Sequence, residues 1–190
     1  LARGMWRMAK RQALINQLAA VETLGATSVI LTDKTGTLTE NRMTVVQLSL
    51  PEKEVHISGE GLDLEGEFTR DGESVDPDED AQLKMALRSG VLCNNAALPD
   101  PEEVEEGMKA VGDPLEVALL VAGAKAGMRR PDLLESIPEV REVAFEANTK
   151  MMATYHETND DYRVAVKGAL EAVLDACDQV STPEGTEPLD

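Results

Sequence analysis

The chain lacks any run of about 20 consecutive apolar residues, the length a helix needs to cross a bilayer. Cysteine is scarce: Cys93 and Cys177 are the only two. No signal peptide precedes them, so they read as buried thiols of a reducing compartment rather than a disulfide. The two histidines, His56 and His156, stand far apart without metal-ligand spacing, which argues against a zinc site. Basic residues are short as well, 18 against 36 acidic, for a net charge of −18. Such a field repels nucleic acid and anionic lipid, so neither is an expected partner. It also repels a nucleotide at long range, so a nucleotide site would need local cations. Phenylalanine occurs twice, so a ring at a strand end stands out.

With 190 residues and 42% hydrophobic content, the chain has room for one packed domain, or a domain plus part of another. Residues 1–24 pattern as a helix through Leu14, Leu18 and Val21, with Arg3, Arg7, Lys10 and Arg11 clustered at its start. Gly25 is a plausible stop. Thr27 to Thr32, apolar and β-branched, reads as a buried strand, and Arg42 to Leu50 as another. Pro51 to Asp80 holds 12 acidic and two basic residues, punctuated by glycine; it reads as irregular solvent-facing strands and loops without a site. Asp80 suits the cap of a helix to about Cys93, with Leu83, Leu87 and Val91 on one face. Pro99 to Gly107 is an acidic loop. Asp113 and Pro114 suit the cap and first turn of a helix with Ala118, Leu119, Ala122 and Ala126 on its packed face, stopped by Gly127. A short helix covers Pro131 to Ser136. From Val140 the period becomes two, giving antiparallel strands at Val140–Phe145, Met151–His156 and Tyr162–Val166, with turn residues at 158–161. A last helix runs from Leu170 to about Asp178, using Leu170, Val173, Leu174 and Cys177, and the tail from Ser181 reads as frayed.

At the end of the Thr27–Thr32 run stands Asp33-Lys34-Thr35-Gly36-Thr37-Leu38-Thr39. A lone Asp-x-x-Gly would be an ordinary turn. A carboxylate beyond the carboxyl end of a strand lies where open α/β sheets bind ligands, and it can attack a phosphoryl group to give an aspartyl phosphate. Asp33 is ionised at neutral pH. Its difficulty is repulsion from the γ-phosphate, about 4 kcal/mol for two unit charges ~4 Å apart at an effective dielectric near 20. A cation must offset it, which implies Mg²⁺.

The seven residues resemble the phosphorylation signature of the P-type cation-transporting ATPases. The likeness continues through Glu40-Asn41-Arg42-Met43-Thr44 and is closest to the calcium-pump branch from Glu22 to Val46. The resemblance implies that Asp33 is the phosphorylated nucleophile, with Asp33 and Thr35 contributing to an incomplete Mg²⁺ site. It also implies that the basic segment before Gly25 is a stalk leaving the membrane on its cytosolic side. In related haloacid-dehalogenase-like phosphatases a second Asp usually stands two residues after the nucleophile. Thr35 cannot take a proton at neutral pH, so the phosphoenzyme should persist, as a pump requires. A soluble phosphatase of that type is the alternative reading, and a non-catalytic interaction module a third.

Three further elements follow in family order. In Gly112-Asp113-Pro114-Leu115-Glu116 the resemblance makes Glu116 a contact to the adenine amino group; spacing alone favours an Asp113-x-x-Glu116 capping box. In Phe145-Glu146-Ala147-Asn148-Thr149-Lys150 it makes Phe145 the adenine-stacking ring and Lys150 a phosphate-side cation; alone, Phe145 would be an ordinary core residue. In Lys167-Gly168-Ala169-Leu170-Glu171 it makes Lys167 and Gly168 nucleotide contacts, where a strand ends and a helix begins; alone, this is a strand–helix turn. Thr149 stands where a basic residue is common, and Leu170 where proline is usual. The Leu92-Cys93-Asn94-Asn95-Ala96 run also resembles the family.

The expected fold is α+β: a twisted antiparallel sheet flanked by helical hairpins, the family's nucleotide-binding domain, plus a stub of an α/β phosphorylation domain. The expected boundaries are a stalk-like helix over 1–25, the start of the phosphorylation domain over 26–39, and an incomplete nucleotide-binding domain over 40–190. The start at Leu1 suggests a piece excised from a longer chain, the cytosolic part of an integral membrane pump. The family's Thr-Gly-Asp and Gly-Asp-Gly-x-x-Asn-Asp elements do not occur in these residues. The expected ligands are therefore ATP with Mg²⁺, the expected partners are the remaining pump domains, and the piece alone should bind nucleotide without turning it over. An unpaired sheet edge could promote dimerisation.

Overall fold

A computed structural model describes residues 2–13, 25–39, 41–99, 110–159 and 161–189. Leu14, Leu18, Val21 to Leu24, Glu40, Asp160 and most of the acidic loop after Pro99 lie outside the described residues. The chain divides into two compact units, Leu1–Glu40 and Asn41–Asp190.

In the first unit, helix α1 spans Ala2–Ala9. It does not continue as one helix toward residue 24. Gln12 adopts φ +61°, and the amides of Arg11 and Gln12 close tight turns onto Met8 and Ala9. The basic patch remains: Lys10 Nζ lies 4.1 Å from the centroid of the Trp6 ring. The expected strand at Thr27–Thr32 is absent. Val29, Ile30 and Leu31 are 70%, 74% and 93% exposed, and among the described residues no strand pairs with them. A buried parallel strand needs ladder partners on its edges and cover on both faces, and the described part of this unit supplies neither.

The second unit mixes helices with antiparallel sheet. Its strands divide into three sheets, where one was expected. The first is a four-stranded meander of β1 (Gln47–Leu50), β2 (Lys53–Ile57), β3 (Phe68–Arg70) and β4 (Glu73–Ser74). The acidic stretch thus supplies short strands, most of it solvent-facing as expected, and these strands pair with β1 into one sheet with a buried face. Along β2, Val55 and Ile57 are buried and alternate with exposed Glu54 and His56, the period-two pattern of a half-buried strand. Phe68 packs with them against Leu83 and Leu87.

Helix α2 (Ala81–Leu92) begins as its sequence requires, with the Asp80 carboxylate accepting from the Leu83 amide at 3.1 Å. Lys53 Nζ also reaches Asp80 at 2.6 Å, tying β2 to this cap. Burial alone would raise the Asp80 pKa, but Lys53 and the helix amides outweigh it and hold the carboxyl below its usual range. Leu83, Leu87 and Val91 are buried as the spacing predicts. Helix α3 (Pro114–Lys125) is capped by Asp113, whose carboxylate takes the Leu115 amide at 2.8 Å. Its buried face is Ala118 and Leu120 to Gly123; Ala118 and Ala122 are buried as expected, Ala126 packs partly buried on the core, and Leu119 lies over Gly90 of α2. A Cβ at Gly123 would run into the Val91 side chain, so only glycine permits that approach.

Helix α4 (Arg130–Ser136) leads into the second sheet: β5 (Glu139–Glu146), β6 (Met151–Glu157) and β7 (Tyr162–Gly168), in that order and all antiparallel, as expected. One face, through Met152, Thr154, His156 and Ala165, is buried, with Leu92, Cys93 and Ile137 joining Met152 and Ala165 in a second core cluster. Helix α5 (Leu170–Asp175) ends earlier than expected and buries none of its residues; Leu170 is 73% exposed. The tail is ordered: β8 (Gln179–Thr182) and β9 (Gly185–Pro188) form a hairpin, and Ser181 O accepts from Gln82 Nε2 at 2.5 Å. Cys93 is buried, whereas Cys177, expected buried, is exposed. Among the described residues no helix is long and apolar enough to cross a membrane.

Candidate functional site

Within the Leu1–Glu40 unit, Asp33 sits on the surface ahead of a tight turn. Its Oδ1 accepts the Lys34 amide at 2.7 Å. The amides of Leu38 and Thr39 close onto Lys34 O at 3.0 and 3.2 Å, and the Gly36 amide reaches Thr39 Oγ1 at 3.3 Å. The signature therefore folds into a short loop that presents Asp33 and Thr35 in solvent-facing positions. Their hard oxygen donors suit Mg²⁺. Two such residues do not complete its coordination, and among the described residues no group of three or more His, Cys, Asp or Glu is placed to hold a metal ion.

In the Asn41–Asp190 unit, four of the five sequence-selected residues form one continuous patch. Glu116 does not close a capping box. Its Oε1 accepts from Lys167 Nζ at 2.5 Å, a contact 51 residues apart in sequence and partly buried on both sides. Lys167 stands at the end of β7 opposite Met152, beside Gly168, which pairs with Met151. Gly168 packs so tightly over Lys150 O and Met151 that a Cβ there would clash with backbone. The amide of Ala169 donates to Lys150 O at 3.0 Å. Lys150, at φ +54°, turns the β5–β6 connection and returns its own amide to Glu146 O at 2.7 Å. Phe145 precedes Glu146 in β5 and is 62% exposed, so it is not the core residue that its type alone suggests.

Both lysines are paired. Lys167 holds Glu116, and Lys150 Nζ lies 3.2 Å from Glu171 Oε1 at an exposed position. The Glu171 carboxyl is held below its usual range by its own amide at the helix start, with Lys150 adding to the effect. An exposed pair of this kind contributes little stability.

Sequence reasoning gave no role to the residues beneath the patch. Asn94 is fully buried, donating from Nδ2 to Gly90 O at 3.1 Å and to Glu116 O at 2.9 Å. The Asn95 amide donates to Glu116 Oε2 at 3.3 Å. Cys93 lies below, its Sγ 3.5 Å from Met152 O, and burial pushes its thiol pKa up. The consecutive asparagines at the end of a helix were the available signal; their partner, 21 residues away, was not readable locally. Two cavities open elsewhere. One of about 1290 Å³ lies between the β1–β4 turns and β8, and one of about 250 Å³ among Leu98, Leu120 and Leu134; neither is lined by Glu116, Phe145, Lys150 or Lys167.

Residues 82–190 match the family described as P-type ATPase, cytoplasmic domain N. Over its whole length the chain is 42% identical to a probable cation-transporting ATPase F of Mycobacterium tuberculosis, covering 21% of that protein. It is 40% identical to the cation-transporting ATPase pma1 of Synechocystis, with 97% of this chain and 21% of the relative aligned. It is 35% identical to a calcium-transporting ATPase of Bacillus subtilis, over 92% of this chain and 19% of the relative. The chain therefore spans about a fifth of the length of the curated relatives it matches. The matched residues, which include every member of the Glu116–Lys167 patch, show that the chain belongs to the P-type ATPase family.

Proposed function

We propose that this chain carries the nucleotide site and phosphorylation loop of an ATP-driven cation pump. Residues 40–190 form the nucleotide-binding part, 26–39 the start of the phosphorylation part, and 1–25 a stalk at the cytosolic membrane face. In the assembled pump an Asp33 carboxylate oxygen attacks the γ-phosphorus of ATP. The new bond is the aspartyl phosphate, the bond broken is the one to the bridging oxygen, and ADP leaves. Thr35 offers no base to activate water against that phosphate. Mg²⁺, bound with the nucleotide and by Asp33 and Thr35, would supply the charge neutralisation that the attack needs. Relatives named for calcium support calcium as the transported ion.

The observation that carries the nucleotide assignment is the Glu116–Lys167 contact, which joins elements 51 residues apart into one patch with Lys150 and Gly168. In this reading the base stacks on Phe145, Glu116 accepts from its amino group, and Lys150 and Lys167 turn from their carboxylates toward the phosphates. With a net charge of −18 opposing it, ATP should bind weakly, with Kd on the order of 1 mM, about −4 kcal/mol. Calorimetric titration of wild type against Phe145→Ala tests this. A clear loss in the variant is expected; equal affinities would reject the stacking role. Mixed with labelled ATP and Mg²⁺ and quenched in acid, these 190 residues should yield no phosphoenzyme, because the family's Gly-Asp-Gly-x-x-Asn-Asp element is not among them. A hydroxylamine-sensitive labelled band would contradict this.

A further inference from the structure

Asn94 and Asn95 close helix α2 in a way that reaches past the helix. The Asn94 side chain uses every polar atom it has. Oδ1 accepts the Ala96 amide at 2.9 Å, and Nδ2 donates to Gly90 O and Glu116 O. A flipped amide would face two carbonyls with its oxygen, so this orientation is fixed by its partners. A fully buried, fully bonded asparagine of this kind pins the end of α2 to the first turn of α3. The next residue inherits its direction. The Asn95 amide points at Glu116 Oε2, and its side-chain Nδ2 donates to Glu142 Oε1 on β5 at 2.8 Å.

Glu142 lies three residues before Phe145, on a strand whose ladder with β6 is irregular on both sides of it, between Glu139 and Arg141 and between Val143 and Glu146. Register shifts leave a strand less firmly fixed by its ladder. Side-chain links from β5 to the helical layer include Arg130–Glu139 at 2.7 Å near its start and Asn95–Glu142 nearer Phe145. Asn95 therefore touches both halves of the base-recognition pair: the carboxylate through its backbone, and the ring's strand through its side chain.

Resting on the nucleotide reading above, we propose that Asn95 is a positioning residue that sets the spacing between Glu116 and Phe145, and with it the selectivity for adenine over guanine. Guanine presents a carbonyl where adenine presents an amino donor. A carboxylate held in register rejects the former and accepts the latter. Loosening β5 relative to Glu116 blurs that distinction, while Lys150 and Lys167 continue to meet phosphate.

The test uses the 190-residue chain and four probes: ATP, GTP, adenosine and inorganic tripolyphosphate. Asn95→Ala should weaken ATP and adenosine by about tenfold, the loss expected for one charge-assisted hydrogen bond. It should collapse the ATP/GTP preference and leave tripolyphosphate unchanged. Asn95→Asp should do worse, placing a carboxylate against Glu142. The double variant Asn95→Asp, Glu142→Gln reverses donor and acceptor and should restore the preference, which a general loss of structure would not do. Tripolyphosphate weakening by the same factor as ATP, or a double variant no better than Asn95→Asp, would overturn the proposal. Glu116→Gln separates the two levels. If it weakens ATP while Asn95→Ala does not, the positioning role fails and the nucleotide reading stands. If Glu116→Gln itself changes nothing, both fail together.

Discussion

Two of the three sheets of the Asn41–Asp190 unit each carry one of the chain's two phenylalanines, and they treat them oppositely. Phe68, on the four-stranded sheet, is 3% exposed and packed against α2. Phe145, on the three-stranded sheet, is 62% exposed. Burying a phenylalanine contributes about 1.5–3 kcal/mol, and most of that is forgone at Phe145. The first sheet works as core. The second is buried on its α2 side and keeps Lys150, Lys167, the close-packed Gly168 and the exposed Phe145 outside that core.

Substitutions at the two rings should separate these roles. Phe68→Ala should cost about 3–5 kcal/mol of stability, read from chemical denaturation, while the molecules that remain folded bind ATP as before. Loss of ATP affinity in that folded fraction would erase the contrast. Lys167→Met comes next, because it strands the partly buried Glu116 carboxylate. It should destabilise by about 1–3 kcal/mol and also weaken ATP, mixing the two behaviours as a residue shared by core and patch must. Phe145→Ala should leave stability within about 0.5 kcal/mol, as for an exposed side chain, and act on nucleotide alone.

The smallest effect lies on the buried side of the second sheet. His156 is enclosed, with Nδ1 3.3 Å from Ile137 O and Nε2 2.9 Å from Thr154 Oγ1, and burial pushes its pKa below the ordinary value. The unfolded chain then takes up a proton, below about pH 6.5, that the folded chain refuses. Stability is full above that pH and falls as pH drops toward the depressed value. Urea denaturation midpoints measured from pH 7.5 to 5 should show the decline, and His156→Gln should flatten it. An unchanged slope in the variant would assign the dependence to other groups.

Local signals in the sequence carried much of this architecture. Asp80 and Asp113 announce helix starts because a capping carboxylate acts on amides two or three residues away. The β5–β7 strands announce themselves by alternation and by the turn at 158–161. The first sheet was legible only in part: Arg42 to Leu50 reads as a strand and contains β1, and the acidic stretch reads as irregular strands and loops, but its charges and glycines mask the short Val55–Ile57 alternation that gives the sheet its buried face. The β8–β9 hairpin was missed for a similar reason, since Pro183 and Glu184 form its turn and Gly185 opens β9, where a frayed end was expected. Glu116 shows the limit most clearly. Its spacing from Asp113 satisfies a capping box, and only the arrival of Lys167 from β7 decides where its carboxylate goes. The Thr27–Thr32 run fails in the other direction. Its composition is that of an interior strand, but a strand becomes interior only through neighbours.

The most direct measurement is a map of backbone amide shifts as ATP is titrated into the isotope-labelled chain. The largest changes should fall on Asn95, Glu116, Phe145, Lys150 and Gly168, with Phe68 and the β1–β4 sheet nearly still. Shifts gathered instead around the cleft lined by Ser49, Asp76 and Gln82, with the five quiet, would contradict the nucleotide reading.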